Sequence, residues 1–230
     1  VAITYTNNDY GKGLADVYEA AVKAHGIKVT AVASHEDGKG DYSSEVAVLA
    51  AAGGDAVAVI GYLDQGGKGI IQGSIDSGAF DTFILSDGMI GQSLVDAFGK
   101  DLSKSFGSLP GSTGKGAGVF TKVASAAGID SSGPYTGESY DAAALIVLAI
   151  QAGGSADRGS IAKNVMAVAN GPGKKIYPGQ LKKALYLLKR GKEVDYEGAT
   201  AVNFTDVGEA VGSFLEKEVK GGKFKTVKER

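Results

Sequence analysis

This chain of 230 residues contains no cysteine, two histidines and four prolines. The lack of cysteine excludes disulfides, thiolate metal sites and cysteine nucleophiles, and two histidines are too few to indicate a transition-metal site. No apolar run is long enough to cross a bilayer. Lys and Arg number 24 against 26 Asp and Glu, so no strong field draws the chain to nucleic acid or an anionic membrane.

Glycine is abundant, at 36 residues, while 43% of the chain is apolar. A disordered chain would lack that apolar content, so the glycines indicate many short connections with unusual backbone angles inside a folded protein. A chain of this length forms one large domain or two small ones with a proper core.

The first hundred residues alternate between short apolar runs and longer segments with helical periodicity. Strands are predicted at residues 1–6, 28–33, 55–61 and 82–85, and helices at 9–25, 43–52 and 64–77. The run DAVAVIG is apolar throughout, which is typical of a strand buried on both faces. This alternation favours βαβ units, so we predict an α/β fold with a parallel, Rossmann-like sheet.

The middle third of the chain has a different pattern. Helices are predicted at residues 117–127, 138–152, 160–170 and 178–190 with scarcely a strand between them, and strand character returns at 199–204, 212–219 and 224–227. The helix at 140–151 (YDAAALIVLAIQ) is apolar nearly all round, which is typical of a doubly buried helix. On this pattern the chain divides into a sheet-bearing part at 1–106 and 199–230 and a helix-rich part at 107–198.

Three large or charged side chains stand beside glycine at the carboxyl ends of the predicted strands: Tyr10 in NNDYGKG, Tyr62 in GYLDQGG and Asp87 in LSDGMIG. Ligands of open parallel sheets bind beyond these ends, and the topology brings the ends to one rim. Each residue also has a structural explanation, since glycines make tight turns and tyrosines cap a core. The convergence of three of them favours a ligand site.

Motifs for other chemistries are incomplete. GSTGKGAG resembles a phosphate loop, but that pattern needs glycine at Leu109 and a hydroxyl at Gly116. No G-x-S-x-G elbow surrounds a serine, and no carboxylate pair is set apart for acid–base catalysis. His25, beside a helix-ending glycine, is expected to be structural, and His35, in the acidic run SHED, is expected to be solvated.

Five stretches, in order and together covering most of the chain, resemble one family. They are VAITYTNNDYGKGLADVYEAAVKAHG, DAVAVIGYLDQGGKGIIQ, FILSDGMIGQSL, GPYTGESYDAAALIVLAIQAGG and DYEGATAVNFTDVGEAVG. The chain is thereby similar to the periplasmic type I solute-binding proteins of ABC transporters, in the branched-chain amino-acid (Leu/Ile/Val) receptor group. Each motif is degenerate, and the specificity lies in their ordered combination.

The resemblance implies two lobes, joined by three crossing segments, with a ligand trapped between them. It makes residues 1–106 and 199–230 the sheet-bearing ligand-binding lobe, and residues 107–198 the helix-rich remainder of the other lobe. The match begins at the second lobe, and the family's leading segment, which supplies most of the first lobe's sheet, is not in this sequence. We therefore expect a first lobe that is incomplete through truncation or proteolysis. We also expect a neighbouring chain or the lost segment to cover helix 140–151.

The resemblance also implies ligand contacts. Tyr10 matches the aromatic residue of the family's YGxG turn, which closes over the ligand side chain, and Tyr62 matches an aromatic residue after the third strand. Asp87 matches the acidic position that takes the ligand's α-ammonium; glutamate stands there in the best-known members, and the shorter aspartate leaves room for a bulkier ligand. Tyr135 matches an aromatic contact from the first lobe, on the resemblance alone. No catalytic residue, metal or cofactor is implied.

The expected function is non-enzymatic capture of a small polar solute, an amino acid or a related amine or amide, by closure of two lobes. The partner is the membrane permease of an ABC importer, and the location is the periplasm or, with a lipid anchor, the cell exterior. The alternative is a ligand-sensing regulatory domain of the same fold. A third class, an enzyme on a flavodoxin-like sheet, lacks its nucleophile, metal and phosphate motifs.

Overall fold

The computed structural model describes residues 1–111 and 114–230, and forms two compact units. Val1–Leu109 with Leu215–Arg230 make up the first, called the sheet unit below, and Pro110–Phe214 make up the second, called the helical unit. The GSTGKGAG segment includes Ser112 and Thr113, so the phosphate-loop comparison falls partly outside the described residues.

Within the described residues, the sheet unit is built on seven strands in the order β11-β10-β5-β4-β3-β1-β2. The strands are β1 (Ala2–Thr6), β2 (Ala31–His35), β3 (Val57–Ile60), β4 (Phe83–Leu85), β5 (Phe106–Pro110), β10 (Phe214–Val219) and β11 (Phe224–Glu229). The first five pair in parallel, and β10 and β11 pair antiparallel. The predicted α/β fold with a parallel sheet is confirmed.

Helices pack on both faces of this sheet. They are α1 (Asp9–Ala24), α2 (Ser43–Ala52), α3 (Lys68–Ser77) and α4 (Gln92–Phe98). Ala58 and Ile60 of β3 enter the core beneath α1, whereas Val57 and Val59 enter the core that α2, α3 and α4 complete. Alternate residues of one strand thus fill two cores, which explains the unbroken apolar run.

Two strands of the sheet differ from the prediction. β2 runs two residues further than expected, to His35, and β5 forms in a stretch for which no strand is predicted. A Cβ atom added at Gly107 of β5 would lie 2.3 Å from the carbonyl oxygen of Leu85. Close approach of two backbones, and not a turn, is the reason for this glycine.

The helical unit combines four helices with two small sheets among its described residues. Its helices are α5 (Lys115–Ala126), α6 (Thr136–Gly153), α7 (Arg158–Ala169) and α8 (Leu181–Lys189), and its strands are β6 (Lys174–Ile176), β7 (Val194–Tyr196), β8 (Asn203–Phe204) and β9 (Ala210–Val211). The prediction of helices without a sheet of their own was wrong, because β6 and β7 pair in parallel. Strands of three residues are too short to show periodicity.

The apolar helix α6 finds part of its packing inside the helical unit. Ala144, Leu145 and Leu148 are buried in one core with residues of α7, α8, β6 and β7. Ile146 and Val147 stay 47% and 43% exposed. Helix 140–151 is therefore covered on one side within its own unit, and the covering of its other side by a neighbouring chain stays a prediction.

A buried carboxylate joins α6 to the segment after β7. Asp141, 2% exposed, accepts hydrogen bonds from the Tyr196 hydroxyl at 2.8 Å and from the backbone N–H groups of Ala199 and Thr200, both at 2.8 Å. Gly198 has a φ of 56°, and a Cβ atom there would lie 2.3 Å from the Asp141 carboxylate. These bonds hold the segment after β7 in the helical unit.

Candidate ligand-binding site

The structure brings Tyr10 to the carboxyl edge of the sheet through the first turn of α1. Asn8 caps this helix by accepting a hydrogen bond from the Gly11 N–H at 2.9 Å. A Cβ atom at Gly11 would lie 2.0 Å from the carbonyl oxygen of Thr6, the last residue of β1. Only glycine permits this approach, so the YGxG pattern fixes Tyr10 directly above the strand end.

Tyr62 follows β3 and stacks on Tyr10. Their ring centroids are 5.2 Å apart and the ring planes are 24° from parallel. Both side chains are partly buried. Such a pair presents a rigid aromatic surface, and ring pairs in this separation range contribute about 0.5–1.5 kcal/mol beyond their burial.

The backbone after Tyr62 forms one turn of π-helix, Leu63–Gly67, called the Tyr62 turn below. The Tyr62 carbonyl accepts from the N–H groups of Gln65, Gly66 and Gly67, at 3.3, 3.3 and 3.0 Å. A Cβ atom at Gly67 would lie 2.1 Å from the sulfur of Met89. Single π-helical turns are rare in proteins overall, but those that occur are often found at functional sites. This one sets the direction in which Tyr62 leaves the strand.

Asp87 follows β4 and is bonded to the aromatic pair. The Tyr10 hydroxyl donates to Asp87 Oδ1 at 2.6 Å and lies 3.2 Å from Ser86 Oγ, which accepts from the Gly61 N–H at 3.3 Å. A Cβ atom at Gly88 would lie 2.4 Å from the Gly61 carbonyl oxygen, so the two turns pack backbone to backbone. Burial, and then the bond to Asp87, raises the pKa of Tyr10, which keeps its hydroxyl a donor.

Three of the four predicted site residues therefore form one cluster, called the Tyr–Asp cluster below: Tyr10, Tyr62 and Asp87. The fourth, Tyr135, belongs to the helical unit, where it is the N-cap of α6 with a left-handed φ of 61°. Left-handed geometry is uncommon for a tyrosine and concentrates at functional positions. The ligand-binding roles of all four stay predictions.

Sequence reasoning missed two residues behind the Tyr62 turn, His35 and Tyr42. His35 was expected to be solvated, but this was wrong: it is 1% exposed, with Nδ1 2.9 Å from Thr4 Oγ1. The extra length of β2 turns its last side chain inward, and burial lowers the pKa of His35. The Tyr42 hydroxyl lies 2.9 Å from the Gln65 carbonyl oxygen and 3.0 Å from that of Glu36.

His25 lies where the sequence places it, as the exposed C-cap of α1. The described ranges contain no group of three His, Asp or Glu side chains that could hold a metal ion. Nor do those ranges contain a helix both long and apolar enough to span a membrane.

Several solved structures with the same architecture are solute-binding proteins. A leucine-binding protein, LivK, of Thermotoga maritima matches with a TM-score of 0.74 and 20% identity, over 99% of this chain and 59% of its own. The branched-chain amino-acid transporter substrate-binding protein LivJ of Streptococcus pneumoniae, in complex with isoleucine, matches with a TM-score of 0.69 and 18% identity, over 98% and 58%. A solute-binding protein of an ABC transporter from Rhodopseudomonas palustris, in complex with p-hydroxybenzoic acid, matches with a TM-score of 0.72 and 15% identity, over 100% and 59%.

A curated relative adds a shorter match in sequence. The chemotactic signal transduction system substrate-binding protein BasB of Halobacterium salinarum is 36% identical over 87 residues, which are 37% of this chain and 21% of the relative. No protein-family model matches the chain.

The chain has the type I periplasmic-binding-protein fold, and the resemblance seen in its sequence is confirmed at that level. It spans about three fifths of the length of the solved structures it matches, with 59% and 58% of LivK and LivJ covered. The ligands named for these structures were observed on those proteins and not on this chain.

Proposed function

We propose that this chain captures a small polar solute, an amino acid or a related amine or amide, at the Tyr–Asp cluster, without catalysis. The observation that carries the proposal is the bond of Tyr10 to Asp87 beneath the stack on Tyr62, at the carboxyl edge where ligands of parallel sheets bind. The confirmed fold, shared with leucine-binding and isoleucine-bound proteins, supports it.

The chemistry of the cluster suits an ammonium group beside an apolar or aromatic one. A partly buried carboxylate makes charge-assisted hydrogen bonds to an ammonium, which are roughly twice as strong as neutral ones. The Tyr10 hydroxyl orients that carboxylate, so the ligand does not have to pay for ordering it. The tyrosine rings offer a surface for the rest of the solute, or for the cation itself.

The wider function follows from the family resemblance. We propose that the ligand is enclosed by closure of two lobes, with Tyr135 contributing from the other side, and that the loaded protein delivers it to the membrane permease of an ABC importer. The corresponding location is the periplasm or the outer cell surface. Hinge closure around a ligand is the usual motion of this class of protein.

Calorimetry with a panel of solutes tests the binding proposal. The panel contains L-leucine, L-isoleucine, small amides and polyamines, and the variants are Asp87→Asn and the matched control Asp96→Asn. Asp96 lies exposed on α4 and accepts a hydrogen bond from Gln92. We expect an ammonium-bearing compound to bind, Asp87→Asn to weaken it by about 2–5 kcal/mol, and Asp96→Asn to leave it unchanged.

Two results would contradict this assignment. Equal affinity of the Asp87→Asn variant means that the ammonium does not contact Asp87. Failure of every panel compound to stabilise or bind the unchanged protein means that the ligand belongs to another class.

A sensory role is the second candidate, because the curated relative is the substrate-binding protein of a chemotactic signal transduction system. Both roles use the same ligand site, so binding data alone do not separate them. Reconstitution of the protein with the cognate permease in proteoliposomes does. Uptake that depends on the added protein indicates an importer, whereas ligand binding without any stimulation of uptake indicates a sensor.

A further inference from the structure

Behind the Tyr62 turn lies a buried polar group of three side chains that the proposed site does not use. We call His35, Asp37 and Tyr42 the His35 cluster. His35 Nε2 and Asp37 Oδ1 are both buried, and neither has a hydrogen-bond partner among the described residues. Unpaired buried polar atoms are costly, so their position calls for an explanation beyond packing.

The His35 ring lies under the Tyr62 turn and under Gly61, the residue before Tyr62. A Cβ atom at Gly61 would lie 3.0 Å from His35 Nε2, and one at Gly66 would lie 2.9 Å from His35 Cδ2 and 3.3 Å from Asp37 Oδ1. Thr4 holds the other side of the ring through Nδ1. Tyr62 lies between these two glycines, so the ring packs beneath the segment that carries Tyr62.

We propose that His35 is a positioning residue for the ligand site: in its neutral form it supports the turn that carries Tyr62, and when protonated it loosens that turn. The proposal deepens the proposed function and rests on it. The site would accordingly be ordered at neutral pH and less ordered in mildly acidic solution.

The charges around His35 act in opposite directions. β1 and the end of β3 contribute no charged side chain in contact, since Thr4 and Gly61 face the ring. The Tyr42 ring faces it edge-on, with the ring centroids 6.2 Å apart. The loop after β2 brings Glu36, Asp37 and Lys39, α2 brings Glu45, which is paired with Lys39, and the turn brings Asp64, which is paired with Lys68. Burial disfavours the protonated ring and has the largest effect on the pKa of His35. The negative charges of Asp37, Glu45 and Glu36 favour the protonated ring, but they do not outweigh burial.

The direction of the pH effect follows from this balance. Burial lowers the pKa of His35 below its ordinary value of 6.5, so the closed turn holds a neutral ring where an opened turn would hold a charged one. Opening therefore takes up a proton and becomes easier as the pH falls below 6.5. The population of the opened turn rises by up to about tenfold per pH unit until the lowered pKa is reached.

Hydrogen exchange in the intact, ligand-free protein measures this opening directly. The probes are the N–H groups of Gln65, Gly66 and Gly67, which bond to the Tyr62 carbonyl. After correction for intrinsic exchange, we expect their protection to fall by up to about fivefold between about pH 6.5 and about pH 5.5, because half of the opened-state rings are already protonated at pH 6.5. The three turn amides should exchange faster than the β3 amides at both pH values, because they exchange through local opening whereas the β3 amides exchange only through global unfolding.

The chain contains only two histidines, which supplies a matched control. His35→Asn keeps a polar atom near Thr4 but cannot be charged, so the pH dependence should disappear, whereas His25→Asn at the exposed C-cap of α1 should retain it. If His35→Asn does not fold, the C2 proton of His35 followed by NMR in the unchanged protein reports the same titration. Protection that does not change with pH, or that changes equally in His35→Asn, overturns the inference.

Binding of L-leucine, measured at both pH values, separates this inference from the proposed function. Turn protection that depends on pH supports the role of His35 even where neither L-leucine nor any other panel compound binds, a result that overturns only the proposed function. Binding of L-leucine together with turn protection independent of pH overturns only the inference.

Discussion

Each unit of the protein contains an aspartate that accepts a hydrogen bond from a tyrosine hydroxyl, and the two pairs differ in burial. Asp141 in the helical unit is 2% exposed and accepts hydrogen bonds from the Tyr196 hydroxyl and from two backbone N–H groups. Asp87 at the sheet edge is only partly buried and receives Tyr10. The same two side chains thus build a structural joint where water is excluded and a candidate binding group where it is not.

Removing the buried carboxylate should have the largest effect on stability. Asp141→Ala leaves the buried Tyr196 hydroxyl and Ala199 N–H without an acceptor, together with the half-buried Thr200 N–H, and each buried donor left unpaired costs about 1–3 kcal/mol. We expect the helical unit to lose about 3–5 kcal/mol. Hydrogen exchange of α6 and β7 peptides in urea measures this loss.

The control is the same experiment on the sheet unit. Peptides from β1 and β3 should keep their protection in the Asp141→Ala variant. An equal loss of protection in both units, or a loss below about 1 kcal/mol in the helical unit, would show that Asp141 is not the joint described here.

Replacing the two tyrosines should lower stability in the same order as replacing their aspartates, with the larger loss in the helical unit. Tyr196 is fully buried and donates to a buried carboxylate, so we expect Tyr196→Phe to cost about 1.5–3 kcal/mol, whereas Tyr10→Phe at the sheet edge should cost about 1 kcal/mol. Urea unfolding followed by exchange in each unit gives both values. A larger loss for Tyr10→Phe would reverse the comparison.

The buried Tyr196 hydroxyl should also make the stability of the helical unit depend on alkaline pH. Burial raises the pKa of Tyr196 above the ordinary value of 10.0, so the native hydroxyl keeps its proton where the unfolded chain releases it. Stability of the helical unit should therefore fall as the pH rises past 10, and Tyr196→Phe should fall less steeply. Equal slopes for the two proteins would exclude Tyr196 as the titrating group.

The contrast also explains how much of the molecule its sequence could predict. Tyr10, Tyr62 and Asp87 were found because the strand pattern is regular and the carboxyl ends of parallel strands must share an edge. Asp141 was missed because its partners lie more than fifty residues further along the chain and carry no local signal. His35 was missed for a related reason: two extra residues of β2 decide whether it faces water or the core.

Three short strands were also not predicted from the sequence. β5 carries glycine and proline, and β6 and β7 have three residues each, so neither propensity nor period identifies them. Their pairing comes from tertiary contacts, such as the close approach of Gly107 to Leu85. What local pattern and topology determine was predictable, and what depends on distant partners was not.

Replacing the partly buried carboxylate should affect stability much less than replacing the buried one. In Asp87→Ala the Tyr10 hydroxyl loses one acceptor, but it stays within 3.2 Å of Ser86 Oγ and near solvent. We expect a loss of about 1 kcal/mol or less in the sheet unit, measured by the same exchange experiment. A loss as large as that of Asp141→Ala would mark Asp87 as structural and remove the main support for the ligand site.

The smallest effect is expected on the exposed side of α6. Val147 is 43% exposed, and surface substitutions usually change stability by less than about 0.5 kcal/mol, so Val147→Lys should unfold like the unchanged protein. The matched variant is Leu148→Ala, one residue on and fully buried, which should cost about 2–5 kcal/mol.

Sedimentation of both variants at several concentrations adds the test of the predicted neighbouring chain. If such a chain covers this face, Val147→Lys lowers self-association while leaving the fold intact, because a lysine would be placed in an apolar contact. If sedimentation is unchanged, the exposed face of α6 has no second copy as its partner.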